Sequence, residues 1–157
     1  MSGVSLLVVR HARAGSRRGW DGEDEKRPLS GRGRRQARAL VALLAPFAPT
    51  RVLSSPYVRC IQSVEPLSEK LGLEVEAADA LVEDGPAEDF MTLVRGLTAS
   101  TIVLCSHGDE ILALLQTLAR DDGLKLPKPR ECAKGSTWVL HARKSRYESA
   151  RYLPAPS

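Results

Sequence analysis

Apolar runs alternating with helical periodicities predict an α/β protein, a three-layer α/β/α sandwich around a mainly parallel sheet. Two continuous apolar runs, Val4-Ser5-Leu6-Leu7-Val8-Val9 and Thr101-Ile102-Val103-Leu104-Cys105, read as buried strands. Between and after them, apolar residues recur at helical spacing. The chain has 157 residues, enough for one domain with its own core, and it shows no internal repeat or linker, so residues 1–157 are expected to form a single domain.

The elements follow in order. Val4–Val9 is the first strand, and a polar loop rich in Gly and acids, with Trp20 inside it, runs to Lys26. Ser30 is a natural N-cap for a helix whose apolar face is Ala37, Leu40, Val41 and Leu44, and Pro46 and Pro49 end it. Arg51–Leu53 is a short strand. Pro56 suits the first turn of the next helix, which buries Ile61, Val64, Leu67 and Leu71 and contains Pro66. Leu73–Ala77 is a third strand, Phe90, Leu93, Val94 and Leu97 mark a helix, and Thr101–Cys105 is the fourth strand. Ile111, Leu112, Leu115 and Leu118 mark a further helix. A loop over Asp122–Glu131 with Pro127 and Pro129 leads to two terminal strands, Ser136–Leu140 and Glu148–Leu153.

Composition narrows the function classes. Hydrophobic residues make up 43% and charged residues 27%, as in ordinary soluble domains. No apolar stretch approaches the roughly 20 residues that span a bilayer, and no secretory leader pattern is present, so a cytoplasmic protein with no membrane partner is expected. Cys60, Cys105 and Cys132 lack metal or disulfide spacing and read as buried, reduced thiols. The net charge is +4, and 17 of the 23 basic residues are Arg, which fits base composition as well as an anionic ligand. Aromatics are only 4%, so no stacking platform for a nucleic acid is evident, and the cluster Arg32, Arg34, Arg35 and Arg38 reads as a solvated helix face.

Chemistry concentrates at three strand-to-helix junctions. Arg10-His11 closes the first strand. Ser54-Ser55-Pro56 precedes a helix that carries Arg59 and Gln62. Ser106-His107-Gly108 closes the fourth strand. In a parallel sheet the carboxyl ends of the strands share one edge, where ligands bind, so Arg10, His11, Arg59 and His107 should converge. Arg supplies a planar fork of donors for phosphoryl oxygens, and neutral imidazole is a nucleophile. No cluster has metal-ligand spacing, and neither a metal nor another cofactor is expected.

Taken in this order, the three motifs resemble those of the histidine phosphatase superfamily, also called the phosphoglycerate-mutase-like family, over nearly the whole chain. The likeness is greatest to SixA-type phosphohistidine phosphatases and to the phosphatase domain of two-domain MutT-type Nudix proteins. Arg10-His11-Ala12-Arg13-Ala14-Gly15, Arg27-Pro28-Leu29-Ser30 and Lys134-Gly135-Ser136-Thr137-Trp138-Val139-Leu140 look especially like the latter. Many members carry Gly and Thr where this chain has Ala12 and Ala14, which argues against a mutase that must hold a bisphosphate. No Nudix signature occurs in these residues.

The resemblance implies His11 as nucleophile and His107 as a phosphate ligand, with Arg10 and Arg59 around the nonbridging oxygens. It also implies an acid from the loop after the third strand, for which Glu83 is the best match and Asp84, Glu88 and Asp109 are alternatives. Arg13, Arg27, Ser106 and Gly108 are expected at the substrate. The implied activity is metal-independent hydrolysis of a phosphate ester or anhydride, of a nucleotide or another small metabolite, through a phosphohistidine. One alternative is a SixA-type phosphatase acting on a phosphohistidine protein. A weakly catalytic module that binds phosphorylated ligands is another.

Overall fold

The computed structural model describes residues 3–98, 100–128 and 130–156. Among these residues six strands form one sheet in the order β3-β2-β4-β1-β5-β6. They are β1 Val4–Arg10, β2 Arg51–Ser54, β3 Val75–Ala77, β4 Ser100–Ser106, β5 Thr137–Arg143 and β6 Arg146–Leu153. Strands β1 to β4 run parallel. The last two add antiparallel, β5 against β1 and β6 against β5. Among the described residues there are four α-helices, α1 Gly31–Leu44, α2 Val58–Leu71, α3 Ala87–Gly96 and α4 Gly108–Asp122.

Strand alternation explains the layers. Leu6, Val8, Ile102 and Leu104 pack with Phe90, Val94, Ile111 and Leu115 of α3 and α4. Leu7, Val9, Val103 and Cys105 pack with Leu40 and Leu44 of α1 and Val64 and Leu67 of α2. The central strands are therefore covered on both faces, which is why they read as continuous apolar runs rather than alternating ones. Truncating Leu7 or Leu104, both fully buried, to Ala would cost about 2–5 kcal/mol.

Local signals act much as the sequence indicates. The Ser30 hydroxyl accepts from the Gly33 N–H at 3.1 Å and caps α1. Pro46 lies in a 3-10 turn, Ala45–Phe47, directly after α1. Pro56 sits ahead of α2 rather than in its first turn: Tyr57 is the N-cap residue, and its N–H bonds the Ser55 hydroxyl at 3.3 Å. The helix passes through Pro66. The third strand begins at Val75 instead of Leu73, and α4 extends to Asp122. Within the expected loop that follows, Pro129 lies outside the described residues. Among the described residues no helix is long and apolar enough to cross a membrane.

Parallel register sets the site. Arg10 lies opposite Ser106, and Ser54 opposite Cys105. The carboxyl ends of β1, β2 and β4 thus share one edge, each leading into a loop or helix that bears a basic group.

Candidate active site

Where β1 ends, backbone bonds fix the chain. The Arg10 N–H donates to Ser136 O at 3.0 Å and the His11 N–H to Ser106 O at 3.1 Å. The Gly135 N–H reaches back to the carbonyls of both Arg10 and His11, at 3.1 and 3.0 Å. Gly135 does so with φ 87°, a conformation open to glycine and strained for other residues. The Lys134-Gly135-Ser136 turn is therefore a clamp on the Arg-His dipeptide. The next residue is held from α2, because the Ala12 N–H donates to the Ser63 hydroxyl at 2.8 Å.

Side chains converge as the spacing predicts. Arg10, His11, Arg59, Glu83 and His107 line one cleft of about 340 Å³. The His11 ring is bonded through Nδ1 to the Ala12 carbonyl at 2.8 Å, which fixes the tautomer with a proton on Nδ1 and leaves Nε2 with its lone pair. His11 is 6% exposed. Burial first, then the charges of His107, Arg59 and Arg10, pushes its imidazole down to about 3, although the bond to Ala12 opposes this. Loss of water is the largest of these causes.

The cations are themselves anchored. Arg10 Nη1 donates to the Cys132 carbonyl at 2.6 Å. Its guanidinium lies so close to α4 that a Cβ at Gly108 would sit 2.8 Å from Arg10 Cζ. Arg59 is 1% exposed; Nη1 donates to Asp24 O at 2.8 Å, and Nη2 to Asp24 Oδ2 at 3.0 Å and to Glu83 Oε1 at 2.8 Å. His107 Nε2 lies 3.0 Å from the Ser55 hydroxyl and 3.6 Å from Cys60 Sγ, while its Nδ1 is 3.6 Å from Glu83 Oε1. Arg10 Nε, Arg59 Nε and His107 Nδ1 are all buried without a hydrogen-bond partner. Buried polar groups are normally paired, so three orphans around one cleft suit an anion.

The expected substrate residues divide. Arg27 and Gly108 line the cleft. Arg27 is 7% exposed, paired to Asp24 Oδ1 at 3.0 Å and bonded to the Gly15 carbonyl. Ser106 is fully buried and gives its hydroxyl proton to Leu81 O at 2.7 Å, holding β4 to the segment before Glu83. Arg13 is exposed and not part of the cleft wall; its backbone instead bonds Gln36 Oε1 at 3.0 Å. Asp109 lines the cleft; Asp84 and Glu88 do not. Cys60 and Cys105 are buried free thiols, whereas Cys132 is only partly buried.

Sequence reasoning missed Asp24, Tyr57 and Lys134. Against the upward push of burial, the Arg27 hydrogen bond and the Arg59 charge hold the Asp24 carboxyl below its usual range. Tyr57 stacks edge-on to His107, centroids 4.9 Å apart, and its ring lies 4.9 Å from Arg59 Cζ. Lys134 lines the cleft, and burial, then Arg10, Arg13, Arg27 and Arg17, lowers its ammonium pKa. Asp24 lies in a loop with several other acids, so nothing in its spacing singles it out. Lys134 is adjacent to the Gly135 clamp, which was the available signal.

Comparison with known proteins agrees with this geometry. Residues 6–88 match the family model for the histidine phosphatase superfamily (branch 1). The 8-oxo-(d)GTP phosphatase of Mycolicibacterium smegmatis is 36% identical over 157 aligned positions, covering 97% of this chain and 48% of that protein. The chain thus spans about half the length of this curated relative. The fold is shared with the protein histidine phosphatase SixA complexed with tungstate (TM-score 0.77, 20% identity, 98% of this chain and 96% of that one). It is shared also with a mycobacterial glucosyl-3-phosphoglycerate phosphatase complexed with VO3 (TM-score 0.71, 21% identity, 100% of both chains). With the family model spanning more than half of its residues, the chain belongs to the histidine phosphatase superfamily.

Proposed function

We propose that residues 1–157 form one catalytic domain that hydrolyses the phosphate ester or anhydride of a nucleotide or similar small metabolite through a phosphohistidine on His11. The carrying observation is the set of buried, unpartnered nitrogens on Arg10, Arg59 and His107 in the cleft that holds His11. The mycobacterial relative, named for a nucleoside triphosphate, supports the nucleotide class. The three free cysteines fit a reducing compartment such as the cytoplasm.

In the first step the lone pair of His11 Nε2 attacks phosphorus. The P–O bond to the leaving group breaks, and its oxygen takes a proton from the Glu83 carboxyl. In the second step water attacks the phosphohistidine and gives a proton to Glu83. The P–N bond breaks, its electron pair returns to Nε2, and inorganic phosphate leaves. Throughout, Nδ1 keeps its proton on the Ala12 carbonyl. Arg10, Arg59 and His107 donate to the nonbridging oxygens, where preorganised donors stabilise the charge of the transition state.

The test is a panel of nucleotides, sugar phosphates, an aryl phosphate and a phosphohistidine protein, run with EDTA present. Turnover of small phosphates in EDTA, with a phosphoenzyme that is acid-labile and base-stable, is the expected result. Turnover only of the phosphohistidine protein would transfer the reading to the SixA type. Activity that needs an added divalent ion would overturn the metal-independent mechanism.

A further inference from the structure

Beside the catalytic cleft lies a second recess of about 370 Å³, lined by Arg17, Trp20, Asp24, Tyr57, Glu83 and Asp84. Arg17 and Glu83 line both cavities, so the two are adjacent and share a wall. Trp20 is one of two large apolar side chains described as exposed, at 37%. It is nonetheless fixed: indole Nε1–H donates to the Glu23 carbonyl at 2.8 Å, and the ring packs over Gly22. Tyr57 is fixed as well, between His107 and Arg59. An exposed aromatic side chain that is held still offers a stacking face at little entropic cost.

The polar groups of the recess indicate what should stack there. Asp84 sits in the left-handed region (φ 61°), with its N–H tied to Glu110 Oε2 at 3.0 Å. Its carboxylate makes no ion pair among the described residues, unlike those of Asp24 and Glu83. A carboxylate only accepts hydrogen bonds, so it selects a ring edge with adjacent N–H donors. Guanine presents two such donors on its pairing edge, and adenine presents only its amino group.

We propose that this recess is the subsite for the base of a nucleotide whose scissile phosphate lies at His11, with Trp20 as stacking platform and Asp84 selecting a guanine-type donor edge. The proposal rests on the phosphatase reading above, and it gives that reading a substrate class. Arg17, between the two cavities, would face the bridging phosphates or ribose.

The experiment has a binding arm and a kinetic arm. Trp138 is fully buried, so fluorescence quenching by a bound base reports on Trp20. With His11→Ala protein to prevent turnover, GDP should quench more tightly than ADP, and inorganic phosphate should not quench. In active protein, Trp20→Ala should raise the KM for GDP by about tenfold, the loss expected for one stacked base, and leave kcat and aryl phosphate turnover unchanged. Asp84→Asn should erase the preference for GDP over ADP. An unchanged GDP KM in Trp20→Ala, or ribose 5-phosphate used as well as GDP, would overturn the subsite while leaving the phosphatase reading intact. A wild-type protein that turns over no aryl phosphate would overturn both.

Discussion

At the floor of the cleft, Arg10 and His11 hang from the end of β1 and are held by backbone carbonyls, His107 follows β4 and is held by the Ser55 hydroxyl, and Arg59 projects from α2. At the rim, Arg17 and Asp24 ride on the loop after β1 and are held by one another and by Arg27, Arg59 and Glu83. Most of the floor is buried: Arg59 is 1%, His107 3% and His11 6% exposed, with Arg10 half-buried beside them. The Arg17 side chain is 66% exposed and that of Asp24 41%, so salt and solvent screen their pairing. Positions fixed by strand ends suit bond-making chemistry, which tolerates little displacement. Positions fixed by exposed ion pairs can be exchanged without disturbing the sheet, and suit selectivity. This division can be broken or sharpened by substitution.

The largest effect should come from the proposed nucleophile. His11→Ala should abolish turnover with the fold retained, as judged by circular dichroism. Rapid quench with labelled substrate should trap phosphate on the parent protein alone. Near-normal turnover in the variant, or a base-labile acyl phosphate in the parent, would remove His11 from the mechanism.

Next come the donors of the floor. Arg59→Ala and His107→Ala should each lower kcat by roughly two to three orders of magnitude, as loss of one transition-state donor does. Arg13→Ala, outside the cleft, should leave kcat alone. A loss of only a few-fold in either floor variant would mean that the residue does not hold the phosphoryl group.

Glu83 joins the two regions, since it pairs with buried Arg59 and exposed Arg17. Glu83→Gln should slow alkyl phosphates by about 10²-fold, because an alkoxide needs a proton, and slow an activated aryl phosphate much less. Equal, mild losses on both would assign the acid elsewhere, with Asp109, already in the cleft wall, next to be tested.

The smallest effect is on stability against pH. His11 titrates at about 3 when folded and near its ordinary 6.5 when unfolded. Between those values the unfolded chain binds the extra proton, so stability is full above 6.5 and declines as the pH falls toward 3. The melting temperature of His11→Gln should therefore decline less on acidification than that of the parent. Equal slopes would show that His11 is not buried in its neutral form.

Much of the floor could be read from the sequence, because a buried parallel strand leaves a continuous apolar run and its end marks the site edge. Arg10, His11 and His107 were read in that way, and Arg59 from the Ser54-Ser55-Pro56 junction ahead of its helix. The rim was not, because a polar loop has no periodicity to place Asp24 or to aim Trp20. Ser106 looked like a ligand for a related reason: sequence locates a strand end but does not say that its hydroxyl turns back to Leu81. The terminal strands were visible, but their antiparallel direction had no turn signal. The hairpin bends at Lys144 and Ser145, with φ 53° and 65°, where Asn or Gly would have announced it.

The position of β1 also has a consequence for how the molecule is made. This strand leaves the ribosome before β4 and β5, yet it lies between them, with Val4 opposite both Ser100 and Ala142. Its apolar residues must wait, unpaired, while most of the later elements are synthesised. Such distant pairings close slowly and expose sticky segments in the meantime. The Arg10-His11 dipeptide takes its final place only once the Lys134–Ser136 turn has emerged, so a nascent chain halted before that turn would carry every motif of the floor and hold none of them in register.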